Sequence, residues 1–183
     1  MDEQRVLVLG GYGAFGRLIC ESLVGAGVGI VIAGRDAAAA RDLAAKLGPY
    51  ARSARIDLQS PSLAREIAAI RPLLVINTAG PFQGRDYAVP RACVANGIHY
   101  VDLADGRAYV AGIGELDADA RAQDVLVTSG ASTCPALSTA IVDDIGRGLR
   151  LDAICFGIAP GLRQARGPAT ARAVLARKIH EHV

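Results

Sequence analysis

The sequence predicts an α/β fold built on a doubly wound parallel sheet, and three features carry that prediction. Short apolar runs alternate with helical patterns as far as about residue 128, as in strands joined by crossover helices. The runs are continuous in Val, Leu, Ile and Ala, which suits strands covered on both faces. A glycine-rich loop, Gly10-Gly11-Tyr12-Gly13-Ala14-Phe15-Gly16, follows the run Val6-Leu7-Val8-Leu9 and leads into a helical pattern opening at Arg17.

Within that loop Gly11, Gly13 and Gly16 have the spacing G-x-G-x-x-G. The glycines serve a tight turn, close approach of backbone to a pyrophosphate, and packing of helix on strand. The motif alone is weak, but here a strand precedes it and an amphipathic helix follows. Phe15, Leu18, Ile19, Leu23 and Ala26 supply the apolar side of that helix. The amides and positive dipole end of such a helix receive phosphate without any charged side chain. A dinucleotide is therefore expected.

Composition bounds the rest. The 183 residues suit one domain, or one domain and the start of another. Hydrophobic residues make up 51% and aromatics 4%, with no Trp, so the core is built from Ala, Val, Leu and Ile. A net charge of +2, with no basic cluster interleaved with aromatics, argues against nucleic acid. Cys20, Cys93, Cys134 and Cys155 form no C-x-x-C pair, which argues against zinc and disulfides and for reduced thiols; no metal is expected. The polar start Met1-Asp2-Glu3-Gln4-Arg5 is unlike a signal peptide, and no apolar run reaches membrane-spanning length. A soluble cytoplasmic protein is the expectation.

Along the chain, Gly25 and Gly27 stop the first helix and a second strand over 28–33 ends at Gly34-Arg35-Asp36. Asp36 is placed to cap an Ala-rich helix over 37–47, which Gly48-Pro49 terminates. A weaker strand over 51–57 precedes Ser60-Pro61, where Ser is expected to cap and Pro to open a helix running to about residue 70. Leu73-Leu74-Val75-Ile76 reads as a central strand buried on both faces, with the loop Asn77-Thr78-Ala79-Gly80-Pro81-Phe82 beyond its end. A helix over 86–96, a short strand over 99–101, a helix over 113–122 and a strand over 125–128 follow. Beyond Ser129-Gly130-Ala131-Ser132-Thr133-Cys134-Pro135 the pattern predicts a helix over 136–146, a strand over 151–159 and a helix from about residue 168 to the end.

Several residues in these loops are candidates for binding. NAD-binding domains place an acid about 20 residues past the glycines to hold the ribose 2′-hydroxyl. Here Ala33-Gly34-Arg35 stands there: a small Gly leaves room for a 2′-phosphate and Arg35 supplies a planar cation to grip it, favouring NADP over NAD. In the alternative, Asp36 plays the acidic role and Arg35 is solvated. Asp57 either accepts the adenine amine or forms a turn. Ala79, Gly80 and Pro81 lie where the nicotinamide ribose is expected, beside the crevice at which strand order reverses. Tyr100 and Asp102 end a strand at the same crevice and are the candidates for catalysis, set against a buried Tyr and a capping Asp. Ser132 to Pro135 open a helix that either receives an anion or is ordinarily capped. Tyr87 is followed four residues on by Arg91 rather than Lys, so the Tyr-x-x-x-Lys acid pair of short-chain dehydrogenases is absent, as are G-x-S-x-G and the Walker loop. His180-Glu181-His182 reads as a solvated tail rather than a ligand set.

The ordered set formed by residues 6–16, Ala33-Gly34-Arg35, Asn77 to Phe82 and His99-Tyr100-Val101-Asp102 resembles the saccharopine dehydrogenase family over residues 5–138. The sequence Arg166-Gly167-Pro168-Ala169-Thr170 is similar to the start of that family's next domain. The resemblance implies an NAD(P)-binding Rossmann domain over 1–130. It also implies, over 131–183, a linking helix and the truncated beginning of an α+β domain for substrate and dimerisation. No residue specifies an amino-acid substrate. The expected function is an NADP-dependent oxidoreductase moving hydride between nicotinamide and a carbon bound to N or O of a small molecule. The alternative is a non-catalytic NADP(H)-sensing module. Gly11, Gly13, Ala14, Phe15 and Gly16 are expected on the pyrophosphate, Arg35 on the 2′-phosphate, Asp57 near adenine, and Ala79, Gly80 and Pro81 by the nicotinamide ribose. A homo-oligomer is expected, without nucleic acid or membrane.

Overall fold

The computed structural model describes residues 5–155 and Gly157. Six parallel strands form one sheet: β1 (Val6–Leu9), β2 (Ile30–Gly34), β3 (Ala51–Arg55), β4 (Leu74–Asn77), β5 (His99–Asp102) and β6 (Val127–Thr128). Their spatial order is β3-β2-β1-β4-β5-β6, so strand order reverses between β1 and β4. That reversal opens the crevice above the carboxyl ends of these two strands, where ligands of open α/β sheets bind.

The sheet is stable because its central strand is buried throughout: all four residues of β1 are buried, each contributing about 1.5–3 kcal/mol as an upper estimate. Alternate residues feed two cores. Leu7, Leu9, Val31, Ala33, Val75 and Tyr100 face α3 (Leu63–Ile70) and α4 (Ala88–Ala95). Val6, Val8, Ile30 and Ile32 face α1 (Ala14–Gly25) and α2 (Ala37–Leu47). On β4, Val75 and Asn77 are buried while Leu74 and Ile76 are half-buried, so this strand is not enclosed equally on both sides as its apolar run suggests.

Local chemistry sets the helix boundaries. The Asp36 carboxylate accepts the amides of Ala38 and Ala39 at 3.0 Å each, capping α2, an interaction worth about 1 kcal/mol. Gly48, at φ +85°, ends the helix. The expected cap at Ser60 is displaced, for α3 begins at Leu63. The reason is a turn: Asp57 Oδ1 accepts the Gln59 amide and Asp57 O the Ser60 amide, so the chain is not yet helical at Pro61. The hydroxyls of Ser62 and Ser60 donate to Glu66 Oε1 instead, holding that carboxyl below its usual range.

Before the helix expected over 113–122 stands α5 (Arg107–Gly112), where the sequence pattern predicts no helix, and the expected helix itself is two pieces, a 3₁₀ turn (Ile113–Leu116) and α6 (Asp117–Ala122). After β6 a π-helical turn (Thr133–Leu137) leads into α7 (Ser138–Ile145), none of whose side chains is buried. Residues 151–155, expected to begin a strand, have no regular structure. The remainder of that strand, the final helix, Arg166 to Thr170 and His180-Glu181-His182 lie outside the described residues. Among the described residues no helix is long and apolar enough to cross a membrane, and no cluster of His, Cys, Asp and Glu has metal-binding form.

Candidate functional site

The loop between β1 and α1 forms the floor of the crevice. It is closed so tightly that only glycine fits at its end. A carbon added at Gly16 would overlap Gly10 O and stand 2.7 Å from Gly11 Cα and 2.8 Å from Thr78 Oγ1. Gly10, at φ +74°, makes the turn that permits this approach. One at Gly11 would stand 3.0 Å from Ile32 Cγ2 and 3.1 Å from Val8 O, and one at Gly13 3.0 Å from Gly10 O. Cys20, beneath the loop, directs its sulfur to Gly11 O at 3.7 Å, and burial pushes its thiol up to about 12.

The amino end of α1 is uncapped by any side chain and has no acid in its first turn. Its first intrahelical bond runs from the Arg17 amide to Gly13 O at 2.9 Å, so the amides of Ala14, Phe15 and Gly16 precede the ladder. Gly13, Ala14 and Phe15 are exposed. Bare donors, a helix dipole and no competing carboxylate together fit a pyrophosphate. Phe15 and Leu18 are 55% and 59% exposed. The buried side of α1 is Gly16 and Cys20, with Leu23 and Val24 partly covered, which corrects the apolar face read from the sequence.

The second wall is the β4 loop, fastened to the first. The Thr78 amide and hydroxyl both donate to Leu9 O, at 2.9 and 2.8 Å. The Ala79 amide donates to Asn77 Oδ1 at 3.1 Å, and Asn77 Nδ2 donates to Tyr100 Oη at 3.1 Å. Ala79, Gly80 and Pro81 are partly exposed on this frame, while Phe82 is buried beneath them against Tyr109. Thr78, which spacing did not single out, is the fastener between the two loops.

At the end of β2, Arg35 is exposed and makes no hydrogen bond or ion pair among the described residues. The Asp36 carboxylate is turned into α2 as its cap. The space at Gly34 is filled: a carbon added there would meet Tyr12 Oη at 2.5 Å. Gly34 therefore makes room for Tyr12, and the argument that it leaves room for a phosphate is corrected. Asp57 is partly buried, and one of its oxygens serves the turn at Gln59.

Tyr100 and Asp102 are both fully buried. Burial holds the Tyr100 hydroxyl far above its ordinary value, with the neighbouring Asp102 adding to the effect. Asp102 Oδ1 accepts from Ala104 N (2.9 Å), Ser129 Oγ (2.8 Å) and Gly130 N (3.0 Å), joining the β5 loop to the β6 loop. Tyr87 donates to Tyr109 O, and Arg91 pairs with Glu115. Just before the π-helical turn the Ser132 hydroxyl donates to Cys134 O at 2.6 Å. The four cysteines are free, with Cys20 and Cys93 buried.

Residues 6–136 match the family model described as the saccharopine dehydrogenase NADP binding domain. Among solved structures the chain is similar to apo saccharopine dehydrogenase (L-Glu forming) from Saccharomyces cerevisiae, at 18% identity and a TM-score of 0.63, covering 79% of this chain and 32% of the yeast chain. It is also similar to RhlG of Pseudomonas aeruginosa in its NADP active-site complex, at 20% identity, a TM-score of 0.55 and 69% of each chain. Serine dehydrogenase from Escherichia coli matches at 19% identity and a TM-score of 0.52, over 69% of this chain and 81% of that one. At these identities the likeness concerns the fold, and the chain spans about a third of the yeast enzyme's length. No curated protein matches it in sequence. With its strand order, its glycine-closed loop and a family match over most of its length, the chain belongs to the saccharopine dehydrogenase NADP-binding domain family, and its cofactor is NADP.

Proposed function

We propose that the chain is the cofactor-binding part of an NADP-dependent oxidoreductase acting on a carbon bound to N or O of a small molecule. The observation that carries this reading is the uncapped, acid-free amino end of α1 beside the β1–β4 reversal, with the exposed Arg35, unpaired among the described residues, at the end of β2. In this reading the amides of Ala14, Phe15 and Gly16 hold the pyrophosphate across Gly11 and Gly13. Arg35 grips the 2′-phosphate, Asp57 meets the adenine, and Ala79, Gly80 and Pro81 line the nicotinamide ribose. Bound there, NADP supplies hydride transfer; the chain supplies position and electrostatics. Tyr100 and Asp102, enclosed as they are, act as positioning residues, the first through Asn77 on the Ala79 loop and the second on the loops after β5 and β6. Residues 131–183 belong, in the same proposal, to a linking helix and the start of a substrate or dimerisation domain.

Titration of NADPH and NADH against the native chain and Arg35→Ala tests the cofactor assignment. Charge-assisted hydrogen bonds contribute about 1.5–3 kcal/mol, so the variant is expected to bind NADPH roughly 10–100-fold more weakly and NADH almost as before. Equal loss for both nucleotides, or none for either, overturns the role given to Arg35.

Self-association is part of the proposal. Leu137, Ile141 and Ile145 recur every fourth residue as one stripe, 55%, 47% and 72% exposed, and with Leu149, Leu151 and Ile154 they line a groove of about 410 Å³. A second copy of the chain is the occupant proposed for this stripe. Sedimentation velocity is expected to show a dimer that Ile141→Lys dissociates, and a native chain sedimenting as a monomer at all concentrations contradicts it.

A further inference from the structure

We propose that Tyr12 sets the dinucleotide preference of the cofactor site by closing the position at which an NAD-type acid would stand. The inference rests on the reading of the glycine loop and Arg35 as the NADP seat. Tyr12 occupies the variable position between Gly11 and Gly13, and its ring reaches from the β1 loop to the end of β2. A carbon added at Gly34 would meet Tyr12 Oη at 2.5 Å, Cε1 at 2.7 Å and Cζ at 2.8 Å. The ring is no free rotor: the Asp36 amide donates to its hydroxyl at 3.0 Å, and the ring packs partly buried against the core containing Cys20, Ile30 and Ile32.

The consequence for recognition is steric. The end of the second strand is where an NAD-selecting domain presents Asp or Glu to the ribose 2′-hydroxyl. Residue 34 has no space for any side chain while Tyr12 lies across it. The nearby carboxylate at Asp36 is committed to the amides of Ala38 and Ala39, and the same residue's own amide is committed to Tyr12. Tyr12 thus excludes one acid and helps fix the turn that turns the other away. Arg35, exposed between them, is left as the group nearest in sequence to meet the 2′ position. A 2′-phosphate suits a guanidinium, whereas a bare 2′-hydroxyl loses the acceptor it would otherwise have.

The experiment is a two-by-two cycle at positions 12 and 34, read by calorimetric titration of NADPH and NADH and by thermal unfolding without ligand. In the native background Gly34→Asp is expected to gain no NADH affinity. Combined with Tyr12→Ala, the same substitution is expected to shift the NADPH-to-NADH affinity ratio at least 30-fold toward NADH. Tyr12→Phe keeps the ring and is expected to hold the native ratio within threefold. A ratio moved as far by Gly34→Asp alone as by the pair overturns the proposal, and so does a folded double variant with the native ratio. Should the acidic variants fail to fold, Gly34→Ala carries the steric half: its melting temperature is expected to fall in the native background and to recover with Tyr12→Ala. Equal tolerance in both backgrounds overturns the proposal. A native chain that prefers NADPH, loses that preference in Arg35→Ala and shows no dependence on Tyr12 removes this inference alone. A native chain with no preference for NADPH removes the underlying reading of Arg35 as well.

Discussion

Gly16→Ala is expected to weaken NADPH binding by at least about a hundredfold, roughly 3 kcal/mol, while Gly25→Ala leaves it unchanged. The two substitutions add the same methyl group to the same helix. At Gly16 the new carbon overlaps Gly10 O and presses on Gly11 Cα at 2.7 Å, both backbone atoms of the loop that leads into the amides proposed to hold the pyrophosphate. No flexible side chain can yield there, so α1 must retreat from β1 and carry the amides of Ala14 and Phe15 with it. At Gly25 nothing lies within 4 Å, and exchanging Gly for Ala in a compatible conformation stabilises by about 0.4–1 kcal/mol. Calorimetric titration, with circular dichroism to show that both variants fold, measures the contrast. Tight binding by folded Gly16→Ala contradicts the assignment of the loop to the pyrophosphate.

Asp102→Ala is expected to destabilise the domain by about 3–5 kcal/mol, since leaving a buried donor unpaired costs about 1–3 kcal/mol and two amides and a hydroxyl lose their acceptor together. The fully buried Oδ1 accepts all three, from Ala104, Ser129 and Gly130, and the Ala131 amide donates to Asp102 O at 2.8 Å, so β5 and the loop after β6 are tied at one residue. Oδ2 has no partner among the described residues. Asp102→Asn keeps the acceptor that the three donors use and exchanges only the unpartnered oxygen, so it is expected to lose less than about half as much. Urea unfolding of the three proteins decides the matter. If Asn and Ala cost the same, the carboxylate's charge rather than the Oδ1 junction is what the fold needs.

Most of the framework was legible in the sequence because the signals are local. Val6 to Leu9 are apolar without interruption, and the glycine spacing and alternation of elements follow directly from the chain; β1, α2 and the parallel sheet wound in both directions from β1 agree with that reading. The errors arose where a local signal met a distant neighbour. Phe15 and Leu18 satisfy helical periodicity, yet the glycine at position 16 brings α1 down on the sheet through its smallest residue, and the larger side chains are left outside. Ser60 has the composition of a cap, but the Asp57 turn postpones the helix past it. Asp36 was ambiguous between ribose and helix, and only its distances to Ala38 and Ala39 place it in the helix.

The sequence by itself determined a parallel sheet with a glycine-closed turn after its first strand, because strand burial, helix periodicity and glycine spacing are properties of a few consecutive residues. Tertiary structure alone decided which groups surround that turn. Tyr12 meets Gly34 and Asp36, Thr78 closes on Leu9, Asn77 meets Tyr100, and Asp102 gathers donors from residues 129 and 130. These contacts join residues 22 to 69 positions apart, and no short-range pattern encodes a separation that only the ordering of strands in the sheet removes.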